Sequence, residues 1–312
     1  MTESKTWQDH SGAVLDSVDG FDVIECERCG FKHIVPIPTP EELDEAYRGD
    51  YYSKEKPLYL ERAREDLDWW ETVYADRYDT LESLLGPDRR ELVEIGSGPG
   101  FFLAHGKKRG WSTLGVEPSR QAAQHSRDMG LKIVEEFLDE KSVAGLGTFD
   151  ALHASEVLEH VPDPHAMVRL INRLLRPGGV ACVCVPNEYN PFQGVLREVR
   201  GFEPWWVAPP HHINYFDVAS ITALLEGAGF DVAIRESTFP IDSFLLMGEN
   251  YIGDDALGRQ CHLRRKTFEQ ALVTGGRNDL KRALFRALAD LGVGREIVVY
   301  AIKRRDPSNA EG

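Results

Sequence analysis

Leu92-Val93-Glu94-Ile95-Gly96-Ser97-Gly98-Pro99-Gly100-Phe101-Phe102-Leu103 decides the fold class of this chain of 312 residues. An apolar run ends in an acidic residue, three glycines alternate at 96, 98 and 100, and a helical pattern begins. The order reads as a buried strand, a tight loop and a helix start. Glycines let the backbone approach a ligand closely and adopt conformations that a Cβ blocks. Glu94, just ahead of the loop, suits a cationic ligand better than a phosphate. The spacing is Gly-x-Gly-x-Gly, not the Gly-x-Gly-x-x-Gly of dinucleotide sites.

A second short apolar strand, Leu114-Gly115-Val116-Glu117-Pro118-Ser119, ends in Glu117, seventeen residues after Gly100. A carboxylate at that strand tip is placed to hold a ribose diol. Outward from these two motifs the pattern alternates. Strands are expected at 91–95, 113–117, 131–134, 149–154, 179–185, 230–236 and 296–302. Helices are expected at 99–109, 119–129, 164–175 and 217–228. Such alternation predicts a parallel sheet covered on both faces.

Together these motifs resemble the class I S-adenosylmethionine-dependent methyltransferases over about residues 89–236. The resemblance implies an α/β, Rossmann-like fold with a seven-stranded, mostly parallel sheet and an antiparallel last strand. It implies S-adenosylmethionine as cofactor and S-adenosylhomocysteine as product. Gly96, Ser97, Gly98 and Gly100 would cradle the methionine and ribose portions, with Glu94 near the cationic groups. Glu117 would take the ribose hydroxyls and Glu136, after the third strand, the adenine side. Ser155 and Glu156, at the end of the fourth strand, would face the sulfonium. A nicotinamide dehydrogenase is disfavoured by the glycine spacing. A non-catalytic scaffold is disfavoured by the intact glycines and Glu117.

Three histidines are candidates for the chemistry. In the sugar C-methyltransferases, a histidine just before an aromatic pair acts as base, and His212 of Pro209-Pro210-His211-His212-Ile213-Asn214-Tyr215-Phe216 falls on that position. The residue before it is glutamate there and His211 here. An imidazole can take a proton from a hydroxyl or an acidic carbon. Ser155-Glu156-Val157-Leu158-Glu159-His160 also resembles the metal site of ubiquinone-biosynthesis and small-RNA 2′-O-methyltransferases. In that alternative Glu156, Glu159 and His160 hold a divalent ion; the primary expectation is no metal. The acceptor is expected to be a small molecule, a sugar, glycan or other hydroxylated metabolite. Phe192, Phe202, Trp205 and Trp206, in the insertion at 187–215, suit the apolar face of a sugar or aromatic ring, or are core.

The remaining chain divides into an N-terminal segment (1–50), a helical lid (51–88), a helical insertion (237–294) and a final strand (295–304). Residues 1–20 read as loose. Cys26-Glu27-Arg28-Cys29-Gly30 has the shape of a zinc knuckle. It resembles the N-terminal part of the sugar C-methyltransferases, which carry a four-cysteine zinc site, but here the other pair is missing. Only His10 and His33 stand nearby, and a metal-free remnant is expected. Thr39 should cap a helix, Tyr51-Tyr52 should lie in a turn, and 58–85 should form a helix with Leu60, Leu67, Trp70, Val73, Tyr74, Leu81 and Leu84 inward.

Apolar residues make up 42% of the chain and the formal net charge is −15. The first can supply a substantial core. The second argues against general nucleic-acid binding, which needs a basic footprint, though a local site near Arg264-Arg265-Lys266 stays open. There is neither an apolar leader nor an apolar run of about 18 residues, so no signal peptide or membrane span is expected. Five cysteines suit a reducing, cytoplasmic setting.

Overall fold

The structure, a computed structural model, describes residues 9–39, 42 and 64–305. The chain opens as an antiparallel sheet of β1 (Gly12–Val18), β2 (Phe21–Cys26) and β3 (Lys32–Val35). Residues 12–18, expected to be loose, are therefore a strand. Asp19 and Gly20, with φ of 50° and 83°, make the two-residue turn to β2. An Asp-Gly pair between alternating apolar residues is the signal that marks this hairpin.

A helix α1 (Leu67–Leu84) leads into the main unit. There follow β4 (Glu91–Ile95), α2 (Phe101–Lys108), β5 (Ser112–Val116), α3 (Arg120–Asp128), β6 (Lys132–Val134), α4 (Glu140–Leu146) and β7 (Phe149–Ser155). A single 3-10 turn at Leu158–His160 precedes α5 (Pro164–Leu174) and β8 (Leu175–Pro186). Then come α6 (Pro191–Arg200), β9 (Asn214–Tyr215), α7 (Val218–Gly227), β10 (Phe230–Ser237), α8 (Asp242–Leu246), α9 (Asp255–Thr274), α10 (Asn278–Asp290) and β11 (Glu296–Lys303).

The main sheet has seven strands in the order β10-β11-β8-β7-β4-β5-β6. β4 to β8 pair in parallel, and β11 runs antiparallel to both its neighbours. The chain steps outward from β4 to β5 and β6, then crosses back to β7 beside β4. The direction of winding thus reverses between β4 and β7, and the crevice at their carboxyl ends is where open α/β sheets bind ligands.

Strand alternation assigns the two faces. Val93, Ile95, Leu152 and Ala154 pack with Val168 and Ile171 of α5 and Leu224 and Leu225 of α7. Leu92, Ala151, Cys182 and Cys184 pack on the opposite face with Tyr78 and Leu81 of α1 and Phe102 and Leu103 of α2. Both cysteines of β8 are core, as expected. Glu94 shares the parity of Leu92 and so lies under α1.

The α1 helix is a covering helix of the core, and its inward face differs from the expected one. Trp69, Arg77, Tyr78, Thr80 and Leu81 are buried, while Trp70 is half-buried against Tyr74. The single expected stripe became two, because α9 packs on α1 from another side. Trp69 Nε1 donates to Glu269 there, and the Arg265 guanidinium sits 4.4 Å over the Trp69 ring. The Arg264-Arg265-Lys266 run is accordingly no open basic patch: Arg264 pairs with Glu249 and Lys266 with Asp66. Tyr51, Tyr52 and Leu60 lie outside the described residues.

A third, smaller core joins the N-terminal sheet to the insertion after β8. Val23, Ile34 and Ile37 pack with Trp206, Val207, Ile213 and Tyr215. Trp206 is therefore core. Phe202 and Trp205 are half-buried beside it. Arg197 of α6 makes paired hydrogen bonds to Asp16 of β1, locking the two together. Among the described residues, no helix is long and apolar enough to cross a membrane.

Candidate functional site

The glycine loop takes a path that side chains oppose. Gly96, Gly98 and Gly100 have φ of 66°, 51° and 80°, the left-handed region that favours glycine. A Cβ on Gly96 would also lie 2.8 Å from Val157 Cγ2. The loop is tethered to the next strand: the amides of Gly96 and Ser97 donate to the Val116 carbonyl, at 2.9 and 3.3 Å. Glu117 is buried and accepts from the Gly98 amide at 2.7 Å and the Ser119 amide at 2.8 Å. Burial raises the Glu117 carboxyl above its usual range, against the pull of those two amides. Ser97 Oγ is buried with no hydrogen-bond partner among the described residues.

Beneath the loop, Glu94 Oε1 accepts from His153 Nδ1 at 2.8 Å. Arg77 of α1 lies 2.8 Å from His153 Nε2 and reaches Ser155 Oγ at 3.4 Å. Glu94 Oε2 is buried and has no hydrogen-bond partner among the described residues. Burial pushes the Glu94 carboxyl well up, more than the Arg77 charge can offset.

A second cluster forms at the carboxyl ends of β7 and β8. Glu156 has φ of 56°, uncommon for a residue with a Cβ, and its side chain is exposed. Glu159 is fully buried, and among the described residues no hydrogen bond is made to either of its carboxylate oxygens. Burial and the neighbouring Glu156 charge hold its carboxyl well above the usual range. His160 Nδ1 donates to the His211 carbonyl at 2.7 Å and turns Nε2 toward Glu159, 3.7 Å away. The rings of His160 and His212 meet edge to face at 5.0 Å. His212 Nδ1 is 3.5 Å from the buried carboxylate of Glu188. One ligand atom each from Glu159, His160 and His212 lie within 4.8 Å of one another.

The family model for the methyltransferase domain matches residues 63–233, more than half of the chain. The chain belongs to the class I S-adenosylmethionine-dependent methyltransferases. An uncharacterized methyltransferase of Mycobacterium sp. (strain KMS) is 34% identical over 110 residues, 35% of this chain and 43% of that protein. The ubiquinone biosynthesis O-methyltransferase of Escherichia coli (strain K12 / DH10B) is 33% identical over 96 residues, 29% of this chain and 40% of that protein. The chain thus spans less than half the length of these curated relatives. A solved chain from the Haloferax volcanii complex of the Trm112 methyltransferase activator with a methyltransferase has a similar fold. Its TM-score is 0.51 at 16% identity, covering 86% of this chain and 100% of that chain.

The methyltransferase cofactor, S-adenosylmethionine, fits what lies at the switch point. Three left-handed glycines leave a backbone cradle, and the donor set is a pair of carboxylates, suited to a cation and a diol. Glu94 Oε2 and Ser97 Oγ are buried polar atoms still able to bond. Gly96, Ser97, Gly98, Gly100, Glu94, Glu117, Ser155 and Glu156 gather around this crevice. Glu136 is exposed in the bend after β6, at the same carboxyl edge. His160 and His212 are brought together, while His211 contributes its carbonyl. Glu188, Arg77 and His153 were not singled out in the sequence. Only His153 left a signal there: a lone imidazole inside an apolar strand.

Proposed function

We propose that the protein transfers a methyl group from S-adenosylmethionine to a hydroxyl of a small-molecule acceptor, a sugar, glycan or other hydroxylated metabolite, with His212 as base. The approach of His212 to Glu188, beside the switch point, carries this assignment. When bound, the cofactor supplies an electrophilic methyl group and retains the electron pair of the broken sulfur–carbon bond. The acceptor oxygen forms the new bond and gives up its proton to the imidazole of His212. Glu188, at 3.5 Å, stabilises the imidazolium that results. His160 packs its ring against His212 and limits how that ring can turn. Alignment of the acceptor and exclusion of water supply much of the rate. An oxygen acceptor is also in keeping with the O-methyltransferase among the relatives, and the net charge of −15 disfavours a nucleic acid.

The test separates binding from chemistry. His212→Ala and His212→Gln should keep cofactor affinity by calorimetry and lose about 10²- to 10⁴-fold in turnover. The acceptor would be found by screening nucleotide sugars and phenols with labelled S-adenosylmethionine. Turnover within a few fold of wild type would remove His212 as base.

The buried carboxylate of Glu159 beside His160 and His212 favours a second reading. Glu159, His160 and His212 would hold a divalent cation, with Glu156 at its edge. Such an ion would orient vicinal hydroxyls and lower their pKa. Turnover that a chelator abolishes and added metal restores, with no response in Glu159→Gln, would favour it over a free His212 base.

A further inference from the structure

The N-terminal sheet holds a cluster that the methyltransferase site does not use. Cys26 ends β2, Cys29 lies in the turn after it, His33 is in β3 and His10 precedes β1. One ligand atom from each lies within 4.8 Å of all the others. His10 Nδ1 is 3.0 Å from His33 Nε2, 3.6 Å from Cys26 Sγ and 3.4 Å from Cys29 Sγ. A tetrahedral zinc with bonds of about 2.3 Å to sulfur and 2.0–2.1 Å to nitrogen has N···N edges of about 3.3 Å and N···S edges of about 3.6 Å. The cluster therefore already has close to the spacing of a filled tetrahedron.

The surroundings prepare each ligand. Gly30, with φ of 75°, closes the knuckle by donating its amide to the Cys26 carbonyl at 3.0 Å. The Cys29 amide points at Cys26 Sγ from 3.4 Å, a contact that stabilises a thiolate. His33 Nδ1 donates to the Ile34 carbonyl at 2.9 Å, which leaves Nε2 as the lone-pair nitrogen facing the cluster. Cys26 and His33 are buried. His165 of α5 touches the Cys29 carbonyl through Nε2 at 3.1 Å, fixing the knuckle to the main domain.

We propose that His10, Cys26, Cys29 and His33 form a closed structural zinc site, in which two histidines complete the ligand set of the cysteine pair. Two thiols release their protons to solvent on binding. The two thiolates balance the metal charge, and four protein ligands leave no open position for catalysis. The ligand set selects zinc over magnesium or calcium, which take oxygen.

The site staples the sheet to the acceptor side. His33 pairs with Asn214 in β9, and the Ile34 amide donates to the Ile213 carbonyl at 2.9 Å, one residue past His212. Asn214 Nδ2 in turn bonds the carbonyls of Leu158 and Val161, on both sides of Glu159-His160. The centre thus anchors both segments of the histidine cluster, while the glycine loop is held independently by β4 and β5.

The test uses the full, untagged chain kept reduced. Elemental analysis should find about one equivalent of zinc as purified. Cobalt substitution should give the intense visible bands of a tetrahedral ion and thiolate charge transfer in the near ultraviolet. Cys26→Ser with Cys29→Ser should remove both signals, whereas His10→Cys should keep about one equivalent and shift the cobalt bands toward a three-sulfur site. Zinc below about 0.1 equivalent, together with no tetrahedral cobalt spectrum in the reduced apoprotein, would overturn the proposal. So would a full equivalent retained in the double serine variant, since the metal would then lie elsewhere. If the serine variant does not fold, the cobalt spectra of wild type and His10→Cys decide the question.

Discussion

His153 and Glu94 are Cα partners across β7 and β4 and share a buried 2.8 Å hydrogen bond beneath the glycine loop. Arg77 fixes its direction. A guanidinium can only donate, so His153 Nε2 must accept and the proton must sit on Nδ1, aimed at Glu94. Burial and the Arg77 charge push His153 well below the ordinary imidazole range, so it stays neutral. A helix outside the sheet thereby orients the carboxylate beneath the glycine loop.

Cofactor affinity should depend on pH through Glu94. Its folded pKa lies well above the ordinary carboxylate range. The free protein therefore keeps the Glu94 proton above the pH at which an ordinary carboxylate loses it, and this group's contribution to stability falls as pH rises. A cationic cofactor favours the carboxylate instead. Affinity for S-adenosylmethionine should rise with pH above the ordinary range and then level off as Glu94 ionises. Calorimetry across that range should show the slope in wild type and its loss in Glu94→Gln.

Arg77→Ala should leave His153 Nε2 buried without its donor. Leaving a buried neutral acceptor without its donor costs about 1–3 kcal/mol. Urea denaturation should show that loss. A cost below about 1 kcal/mol, the scale of an exposed pair, would mean that Arg77 is not part of a buried network.

Glu117→Gln keeps only one oxygen to accept from Gly98 and Ser119. The loop should lose one tether, and cofactor binding should weaken by about 1–3 kcal/mol, the scale of a charged hydrogen bond. Unchanged affinity by calorimetry would remove Glu117 from the ribose role.

Asp150 clamps the opposite end of β4, β7 and β8. Burial alone would raise its carboxyl, but hydrogen bonds from Arg176, Arg89 and the Glu91 amide bring it below the usual range. A depressed folded pKa stabilises above the unfolded value of about 3.9 and is lost as pH falls through the folded one. Asp150→Asn should cost about 1–3 kcal/mol near neutrality. That gap should close in acid, and parallel stability curves down to the acid limb would contradict it.

Much of the cofactor half was legible because its signals are local. Three alternating glycines between two acidic strand ends mark a strand, a loop and the next strand within some two dozen residues. The Asp19-Gly20 turn was equally local and carried the same kind of signal, yet it lies where the segment looked loose. Trp69 and Trp70 show the limit of periodicity: it finds a helix, and not which of two adjacent tryptophans a distant helix will cover.

Sequence alone determined the order of the seven strands along the chain and the glycine loop, because these rest on short-range pattern and backbone sterics, while the cofactor class followed from the resemblance of those motifs to the methyltransferases. The tertiary structure decided which side chains meet. Arg77, Glu94 and His153 come from three elements, and His160, Glu188 and His212 from three separate segments after β7, after β8 and before β9. His10 and His33 stand on either side of the Cys26-Cys29 knuckle, and nothing in their spacing says that they turn toward it. Such meetings depend on strand pairing and the crossing of the chain at the switch point. The sequence separation between partners leaves no periodic trace of them.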